Sequence, residues 1–550
     1  MNKQARALIS VFYKDGIIEL ASFLHGAGWE ILSTGGTSKY LQENGLPVTD
    51  VSAVTGFPEC LDGRVKTLHP AIHAGILARR DVQSHIDTLK EQNLSTIDLI
   101  CVNLYPFFEK VQAGLTPEET IEFIDIGGPG MLRSAAKNCR DVIVLTDPAD
   151  YAEAISGLKV GNVPLEFKRK LAGKVFNLTS AYDAAISRYL LEEEYPKYLS
   201  VSMQMGQGLR YGENAHQSAA LYLNTDRPGV LGSMEQLHGK EMGYNNIRDL
   251  DVAWKVACAF GLETDNTSPT GEKLVNQFLK DVNGDKNGAK ISCVAVKHNT
   301  PCGIALGNTL LEAFNKVFAC DSVSIFGGII ACNAKVDAST AFKLGELFLE
   351  IVAAPDFDEE ALEILKKKKN LRIIKLTKAP KETHEYIAVD GGMLVQQSDR
   401  VLLEKWEVVT KAQPEARDIQ DMLFGLRAVT FVKSNAIMIV KEQAAIGIGG
   451  GQVNRIWPAV QSMERAAAVM KTANEAQFDL GCCPWKDSEP ARVLASDAFF
   501  PFADIVEAAA KAGIKSIIQP GGSMNDKLSI EACDRHGITM VFTGTRHFKH

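Results

Sequence analysis

The sequence predicts an α/β protein with largely parallel sheets and more than one folding unit. Short apolar runs alternate with longer amphipathic stretches, first at residues 7–11, 30–32, 97–102 and 142–145. This alternation is typical of strand–helix–strand units. The chain has 550 residues, whereas one domain usually has about 100–200. Three or four folding units are therefore expected.

Composition and charge exclude several classes of protein. Hydrophobic residues make up 46% of the chain and charged residues 23%, which excludes collagen-like, coiled-coil and largely disordered chains. The net charge of -8 repels nucleic acid and anionic membranes, so neither is expected as a partner. The 11 cysteines include no Cys-x-x-Cys pair, and the apolar stretch at residues 5–13 is too short for a signal or membrane segment. A cytoplasmic protein with reduced thiols is therefore predicted.

The loops that follow the predicted strands in the first 200 residues are the first candidates for a site, because ligands of open α/β sheets bind at the carboxyl ends of the strands. Residues 33–37 (Ser-Thr-Gly-Gly-Thr) join a predicted strand to a helix, and their backbone amides and hydroxyls suit an anion. A plain strand-to-helix turn with a Thr cap is the alternative. Lys14, Arg64 and Lys66 supply three cations, which favours a phosphate or carboxylate ligand.

A second glycine-rich helix entrance lies at residues 125–130 (Asp-Ile-Gly-Gly-Pro-Gly). Such a run of small residues indicates that something approaches the backbone closely. Asp125 is a candidate base or amide acceptor, and Lys137, two turns into the helix, is a candidate charge partner. Tyr105 follows a predicted strand and is either packed or directed at a ligand. Each of these residues alone is more often structural than catalytic.

A domain boundary is predicted near residue 200, where helical periodicity ends around Pro196. Residues 263–290 form a polar stretch that is predicted to be an insertion or connector.

Lys297 and His298 follow a predicted strand and place a proton-transfer base beside a cation, although a lone His is more often a core residue. Cys302 lacks the second Cys and the His-x-Glu of the zinc deaminases, so no metal is predicted.

A short internal echo suggests that the second half of the chain is duplicated. Residues 296–299 (Val-Lys-His-Asn) are echoed by residues 432–435 (Val-Lys-Ser-Asn), and residues 319–322 (Ala-Cys-Asp-Ser) by residues 495–498 (Ala-Ser-Asp-Ala). The alternative to a duplication is that these short matches arose by chance.

The basic end of the chain, residues 543–550, is either a frayed tail or an ordered segment near the site. The strand predicted just before it favours the ordered segment.

Several motifs occur together in one known family. They are residues 56–59 (Gly-Phe-Pro-Glu), 63–70 (Gly-Arg-Val-Lys-Thr-Leu-His-Pro), 103–107 (Asn-Leu-Tyr-Pro-Phe), 125–128 (Asp-Ile-Gly-Gly), 210–214 (Arg-Tyr-Gly-Glu-Asn), 297–303 (Lys-His-Asn-Thr-Pro-Cys-Gly) and 546–548 (Arg-His-Phe). In this order they resemble the bifunctional purine biosynthesis family that joins AICAR transformylase to IMP cyclohydrolase. The resemblance implies a methylglyoxal-synthase-like, doubly wound cyclohydrolase domain at residues 1–199. It also implies two cytidine-deaminase-like α/β transformylase subdomains at residues 200–375 and 376–550.

In the second half, the resemblance implies formyl transfer from 10-formyltetrahydrofolate to the amine of AICAR, which gives FAICAR. His298 would be the base, Lys297 its cationic partner, and Asn435 a donor to the formyl oxygen. Arg210, Tyr211 and Arg546 would bind the phosphate of the nucleotide. The resemblance also implies further substrate-binding positions in this half: His216, Asn246, Gly327, Glu350, Arg455, Phe499 and His550.

In the first half, the resemblance implies ring closure of FAICAR to IMP with loss of water. Proton transfer and oxyanion stabilisation would fall to Lys66, Tyr105, Asp125 and Lys137. The substrate-binding positions implied there are Ser10, Lys14, Ser33, Gly36, Thr37, Arg64, Thr67, Asn103 and Gly127. The family further implies a homodimer, folate as co-substrate and no catalytic metal, and it allows a structural potassium ion.

Two alternatives stay open at this point. The first 200 residues could be an anion-sensing regulatory domain of the same fold, which would not need Lys66, Tyr105, Asp125 and Lys137 together. The second half could be a zinc-dependent deaminase, which the missing ligands disfavour.

Overall fold

The computed structural model describes residues 4–61, 64–105, 107–224, 229–260, 291–474 and 484–550 of the chain. It forms two compact units. The first reaches Gln204 and the second begins at Met205, except that Asn224 groups with the first. The polar stretch predicted at residues 263–290 lies outside the described residues, as do Gly63 and Pro106 of the sequence motifs. Among the described helices, none is long and apolar enough to cross a membrane.

In the described part of the first unit, five parallel strands form one sheet in the order β3-β2-β1-β4-β5. The order reverses at β1, so the loops after β1 and β4 diverge and leave a crevice at the carboxyl edge, where ligands of such sheets bind. The four strands predicted from apolar runs are confirmed, and a short fifth strand, β3, is added. The strands are β1 Arg6–Ser10, β2 Glu30–Ser33, β3 Thr49–Asp50, β4 Leu99–Val102 and β5 Ile143–Leu145.

Helices cover both faces of this sheet, and the core comes from residues such as Leu8, Ile100 and Val144, which are almost fully buried. The continuous helical periodicity at residues 171–195, just before the boundary at Pro196, predicts a long helix that closes the unit. In the structure it begins earlier and ends earlier. The helices are α1 Ile17–Gly26, α2 Gly35–Glu43, α3 Val51–Thr55, α4 Pro70–Leu77, α5 Gln83–Glu91, α6 Phe107–Gln112, α7 Pro117–Ile121, α8 Gly127–Lys137, α9 Tyr151–Lys159 and α10 Leu165–Leu190.

In the second unit, the described strands include twelve that form one mixed sheet, in the order β16-β21-β20-β19-β17-β18-β10-β9-β11-β12-β13-β8. Two further pairs, β6 with β7 and β14 with β15, lie outside it. The strands are β6 Met203–Leu209, β7 Ala219–Asn224, β8 Glu235–His238, β9 Ile291–Lys297, β10 Thr300–Gly307, β11 Ile329–Cys332, β12 Ile351–Ala354, β13 Arg372–Lys375, β14 His384–Val389, β15 Gly392–Gln397, β16 Glu407–Val408, β17 Ile437–Lys441, β18 Ala444–Gly449, β19 Val493–Ser496, β20 Ser516–Gln519 and β21 Thr539–Phe542.

The large sheet contains the same five-strand pattern twice. In the first copy, the β9–β10 hairpin is followed by β11 antiparallel to β9, and then by β12 and β13 in parallel. In the second copy, the β17–β18 hairpin is followed by β19, β20 and β21 with the same directions. The copies meet where β10 pairs antiparallel with β18, with Ala305 opposite Ala444.

The duplication is present, but the residue echo predicted from the sequence is wrong in register. Residues 432–435 precede β17, whereas residues 296–299 end β9 and form the following turn. The topology instead pairs residues 296–299 (Val-Lys-His-Asn) with residues 440–443 (Val-Lys-Glu-Gln), which end β17 and form the second hairpin turn. Likewise, residues 319–322 end a helix, whereas residues 495–498 end a strand.

Each face of the large sheet is covered by helices. Alternate residues of β9 enter opposite cores: Cys293 and Ala295 pack with α12 and α16, whereas Val294 and Val296 pack with α11 and α15. A strand that is buried on both faces therefore has a continuous run of apolar residues in its sequence. The helices are α11 Tyr244–Cys258, α12 Leu310–Cys320, α13 Ala338–Glu346, α14 Glu359–Lys366, α15 Ala416–Val429, α16 Ile456–Asn474, α17 Asp504–Lys511 and α18 Asp526–His536.

Candidate active sites

In the first unit, two lysines lie at the amino end of α2. Lys14 Nζ donates to Thr37 Oγ1 at 3.0 Å and to the carbonyl of Val11. Lys66 Nζ lies 3.3 Å from the position that a Cβ on Gly35 would occupy. The first amides of a helix have no partner within it and attract anions. This end of α2 therefore combines free amides with two cations, as a phosphate site requires.

The hydroxyls predicted to bind substrate here also support the loop. Ser33 Oγ donates to Ile9 O at 2.7 Å, and Thr37 Oγ1 both donates to Val11 O at 2.8 Å and accepts from Val11 N–H at 3.1 Å. Partial burial lowers the pKa of Lys14. Ser10, the last residue of β1, and Gly36, which has no heavy atom within 4 Å of its Cβ position, border the same end of α2.

Asp125 lies at the entrance to α8 and is held by backbone amides. Its carboxylate accepts from the N–H of Gly128 at 2.8 Å and from the N–H groups of Tyr105 and Gly127. Burial raises the pKa of Asp125, and these hydrogen bonds lower it in part. Thr67 Oγ1 is 2.7 Å from the position of a Cβ on Gly127. The structure therefore brings Thr67, Tyr105, Asp125 and Gly127 together.

The loop after β1 and the loop after β4 are tied to each other. Asn103 Oδ1 accepts from Phe12 N–H and from Tyr13 N–H, and Asn103 Nδ2 donates to Tyr13 O at 2.9 Å. Tyr105 is 44% exposed, and its ring makes an edge contact with the Phe12 ring at 5.9 Å between centroids. Asn103 thus shapes the crevice wall, and Tyr105 remains exposed to solvent.

Two predicted residues are not joined to this cluster. Arg64 pairs with Glu122 at the surface. Lys137 is the last residue of α8, so about 15 Å of helix separates it from Gly127. Two neighbours were not predicted: Glu59, whose Oε1 is 2.9 Å from Lys66 Nζ, and Tyr182 of α10, whose hydroxyl accepts from Asp125 N–H at 3.0 Å.

In the second unit, His298 and Asn299 form the turn between β9 and β10. Both have left-handed backbones, with φ of 52° and 60°. The turn leaves the His298 side chain exposed. Lys297, the last residue of β9, donates from Nζ to Phe326 O at 2.8 Å, which leaves further N–H donors on the ammonium group. The predicted base and its cationic neighbour therefore lie together at the end of the hairpin.

Asn435 lies in a buried polar cluster. Its Oδ1 accepts from Arg455 Nη2 at 2.5 Å, and its Nδ2 donates to Gln452 O at 2.8 Å. Arg455 also pairs with Asp497, a fully buried carboxylate. Because an amide nitrogen has two N–H groups, Asn435 keeps one donor for a ligand. Asp497, which sequence reasoning did not single out as a site residue, aligns Arg455 and so fixes Asn435.

The sheet register places the His298 turn and Asn435 at the same end. Since β10 and β18 run antiparallel, the start of β10 lies near the end of β18, beside which Asn435 enters β17. A cavity of about 240 Å³ opens there. Its walls include Thr300, Pro301, Cys302, Lys433, Gly450 and Gly451. Burial raises the pKa of the Cys302 thiol to about 12, which keeps the thiol protonated at neutral pH.

The end of the chain is ordered beside Asn435, as predicted. His547 is buried, with Nδ1 2.7 Å from Asp399 Oδ2 and Nε2 3.0 Å from Leu402 O. Lys549 O accepts from Ser434 N–H at 2.8 Å, and Lys549 N–H donates to Ser434 Oγ at 3.1 Å. Two contacts to Ser434, the residue before Asn435, therefore anchor the terminal segment.

The remaining substrate-binding positions predicted in the second unit differ in whether their side chains already have partners within the protein. Asn246 Oδ1 accepts from Gly243 N–H at 3.1 Å and caps α11. Glu350 pairs with Arg372 at 2.8 Å, and Gly327 has a left-handed φ of 71°. The exposed or partly exposed positions are Arg210, whose guanidinium lies 5.9 Å from the Tyr211 ring centre, Arg546, 4.8 Å from the Phe548 ring centre, and His216, Phe499 and His550.

Within the described residues, no group of three or more His, Cys, Asp or Glu side chains could hold a metal ion.

Comparison with known proteins covers nearly the whole chain. A family model described as AICARFT/IMPCHase bienzyme matches residues 135–465, and one described as MGS-like domain matches residues 16–130. The bifunctional purine biosynthesis protein PurH of Clostridium acetobutylicum is 54% identical over 546 residues, which is 99% of each chain. That of Clostridium perfringens is 53% identical over 548 residues, with the same coverage. A solved structure titled "Crystal structure of ForH" is 37% identical over 34% of this chain and 96% of its own, with a TM-score of 0.31.

Proposed function

The chain belongs to the AICARFT/IMPCHase bienzyme family, and from this membership we propose which residues perform each reaction. The protein is a bifunctional enzyme of purine biosynthesis that transfers a formyl group to AICAR, giving FAICAR, and closes FAICAR to IMP with loss of water. A first unit that only senses anions is not favoured, because relatives matched over 99% of the chain are bifunctional.

Ring closure is assigned to residues 1–199, and formyl transfer to the subdomains at residues 200–375 and 376–550. The MGS-like match to residues 16–130 supports the first assignment. The division into two units at Gln204 and the duplicated strand pattern of the second unit support the other boundaries. Each unit therefore has its own active site.

In formyl transfer, His298 removes a proton from the AICAR amine as the amine nitrogen attacks the formyl carbon of 10-formyltetrahydrofolate, the family's co-substrate. The free N–H of Asn435 donates to the formyl oxygen as negative charge develops there. The bond from the formyl carbon to the folate nitrogen then breaks, and this nitrogen takes up the proton that His298 removed, which gives tetrahydrofolate and restores the base. The observation that supports this assignment best is the left-handed turn that exposes His298 directly beside Lys297.

In ring closure, the phosphate of FAICAR binds the free amides of α2 between Lys14 and Lys66. The carboxamide nitrogen attacks the formyl carbon, and Asp125 accepts the proton that this nitrogen loses. The raised pKa of Asp125 suits a proton acceptor, and the Tyr105 hydroxyl donates a hydrogen bond to the formyl oxygen. This oxygen leaves as water after it takes up two protons: the one that Asp125 accepted from the carboxamide nitrogen, and the one that the formamide nitrogen loses as it forms the C=N bond of the new ring. Much of the barrier is positional, so the rigid crevice itself contributes to the rate.

The proposed assembly is a homodimer in the cytoplasm, with small-molecule substrates and no nucleic acid or membrane partner. Large apolar side chains on the second unit, among them Val323 and Phe326, are exposed in the single chain and would be covered in a dimer. The described cysteines are free thiols, which suits a reducing compartment. A potassium ion would be structural only, and the steps proposed above use protein side chains.

The decisive experiment follows IMP formation from AICAR and 10-formyltetrahydrofolate, and separately from supplied FAICAR. His298→Ala is expected to abolish formyl transfer and to leave ring closure unchanged. Glu442→Ala is the matched control, because Glu442 holds the equivalent turn position in the second copy. A folded His298→Ala protein that formylates AICAR at a near-normal rate would refute the assignment of His298.

A further inference from the structure

The turn that presents His298 has an unusual backbone for its residues. His298 and Asn299 both lie in the left-handed region, between paired strands β9 and β10. Two-residue hairpin turns with this backbone normally contain glycine, because a Cβ atom disfavours the left-handed conformation. Other groups must therefore stabilise the turn if the imidazole is to stay in one place.

Helix α11 supplies those groups. Asp249 Oδ1 accepts a hydrogen bond from Asn299 N–H at 2.5 Å. With its amide oriented to satisfy both contacts, Asn299 also donates to Arg248 O at 3.2 Å and accepts from Arg248 Nη2 at 3.3 Å. Arg248 in turn pairs with Glu213 at 3.3 Å. The residue after His298 is thus fixed through its backbone and its side chain.

The second copy repeats the arrangement without a histidine. Asp421 accepts from Glu442 N–H at 2.9 Å and from Gln443 N–H at 2.7 Å, and these two residues have φ of 50° and 57°. Asp249 is the sixth residue of α11, and Asp421 is the sixth residue of α15. In both copies a carboxylate at this helix position holds a left-handed turn, and of the two turns only the first contains a histidine.

We propose that Asp249 is a positioning residue for formyl transfer, which holds the turn so that the His298 imidazole meets the AICAR amine in a reactive geometry. The proposal rests on the proposed role of His298. A misplacement of about 1 Å can lower a rate about 10²-fold. Loss of the Asp249 carboxylate therefore lowers kcat for formyl transfer by about that factor, while KM for AICAR changes little because the proposed phosphate contacts lie elsewhere.

The test compares full-length Asp249→Ala, Asp249→Asn and Asp421→Ala in both reactions and in thermal unfolding. Asp249→Ala is expected to lose formyl transfer in kcat and to keep ring closure. Asp249→Asn, which retains an oxygen acceptor at Oδ1, is expected to recover most of the rate. Asp421→Ala is the matched control: it removes the same kind of contact from the other copy and is expected to destabilise the second unit without lowering kcat selectively.

The outcomes separate this proposal from the proposed function. Equal kcat losses in Asp249→Ala and Asp421→Ala, or no loss in Asp249→Ala, would overturn the positioning role. An active His298→Ala protein would overturn the assignment of the base itself. If Asp249→Ala does not fold, Asp249→Glu replaces it, since the longer side chain displaces the acceptor, and Asp421→Glu becomes the control.

Discussion

Gly128→Ala is expected to disable ring closure by displacing Asp125. A Cβ at Gly128 would lie 2.5 Å from Asp125 Oδ2 and 3.1 Å from Leu104 Cδ2, whereas ordinary contacts begin at 3.4 Å. The carboxylate must therefore move by about 1 Å, which on its own can cost about 10²-fold in rate. The shift also weakens the hydrogen bonds from the N–H groups of Gly128, Tyr105 and Gly127, each worth about 1.5–3 kcal/mol to a charged acceptor.

The assay measures IMP from supplied FAICAR, with formylation of AICAR by the same protein as an internal control. Gly130→Ala is the matched variant in the same helix, because its Cβ would come no closer than 3.6 Å to another heavy atom, His73 Cε1. We expect ring closure to fall about 10²-fold in Gly128→Ala and to be unchanged in Gly130→Ala. Near-normal ring closure by a folded Gly128→Ala protein would show that the position of Asp125 does not limit the reaction.

Three further predictions concern stability and autonomy. Gly447→Ala places a Cβ 2.0 Å from Ser462 O, so denaturant unfolding should show the second unit destabilised by about 3 kcal/mol; an unchanged midpoint would contradict this packing. The pKa of Asp421 is raised by burial from 3.8 to about 6, so the folded state favours the protonated carboxyl. The stability that comes from this preference is greatest below pH 4 and is lost as the pH rises through 6. Relative to Asp421→Asn, the unaltered protein should therefore lose about 2 kcal/mol between pH 4 and pH 7, and parallel pH profiles would refute this. Finally, residues 1–199 expressed alone should close FAICAR, because their core is built within that segment; a folded but inactive fragment would favour a sensor.

The sequence predicts those parts of the fold in which burial dictates composition. Strand β4, Leu99–Val102, is buried at every position and reads as an apolar run. Strands β3 and β16 have two residues each and leave no periodicity to detect. The duplication left a weak signal, and its register was misread because Val-Lys occurs at residues 296–297, 432–433 and 440–441. Only the sheet order identifies the last of these as the match to the first.

In the candidate sites too, a local feature of the sequence could be predicted, whereas a contact from a distant helix could not. The glycines at residues 127–128 predicted a close approach to the backbone, and the structure confirms it with Thr67 and Asp125. Tyr182 could not be predicted, because it reaches Asp125 from a helix 57 residues away in sequence. One feature of the sequence points to Asp249: the pattern Ile-x-Asp occurs at residues 247–249 and again at residues 419–421. This pattern can be interpreted only once both helices are known to face a hairpin turn.

The pairing of β10 with β18, where the two copies of the strand pattern meet, also determines whether the second unit can be separated into its two copies. Each of these strands would become an open edge if the copies were separated, and exposed edges pair with other chains. The intact sheet instead ends at β8, with four residues, and at β16, with two. A chain cut between the copies would therefore yield two aggregation-prone products, so we expect the two copies to be inherited and expressed only as a pair.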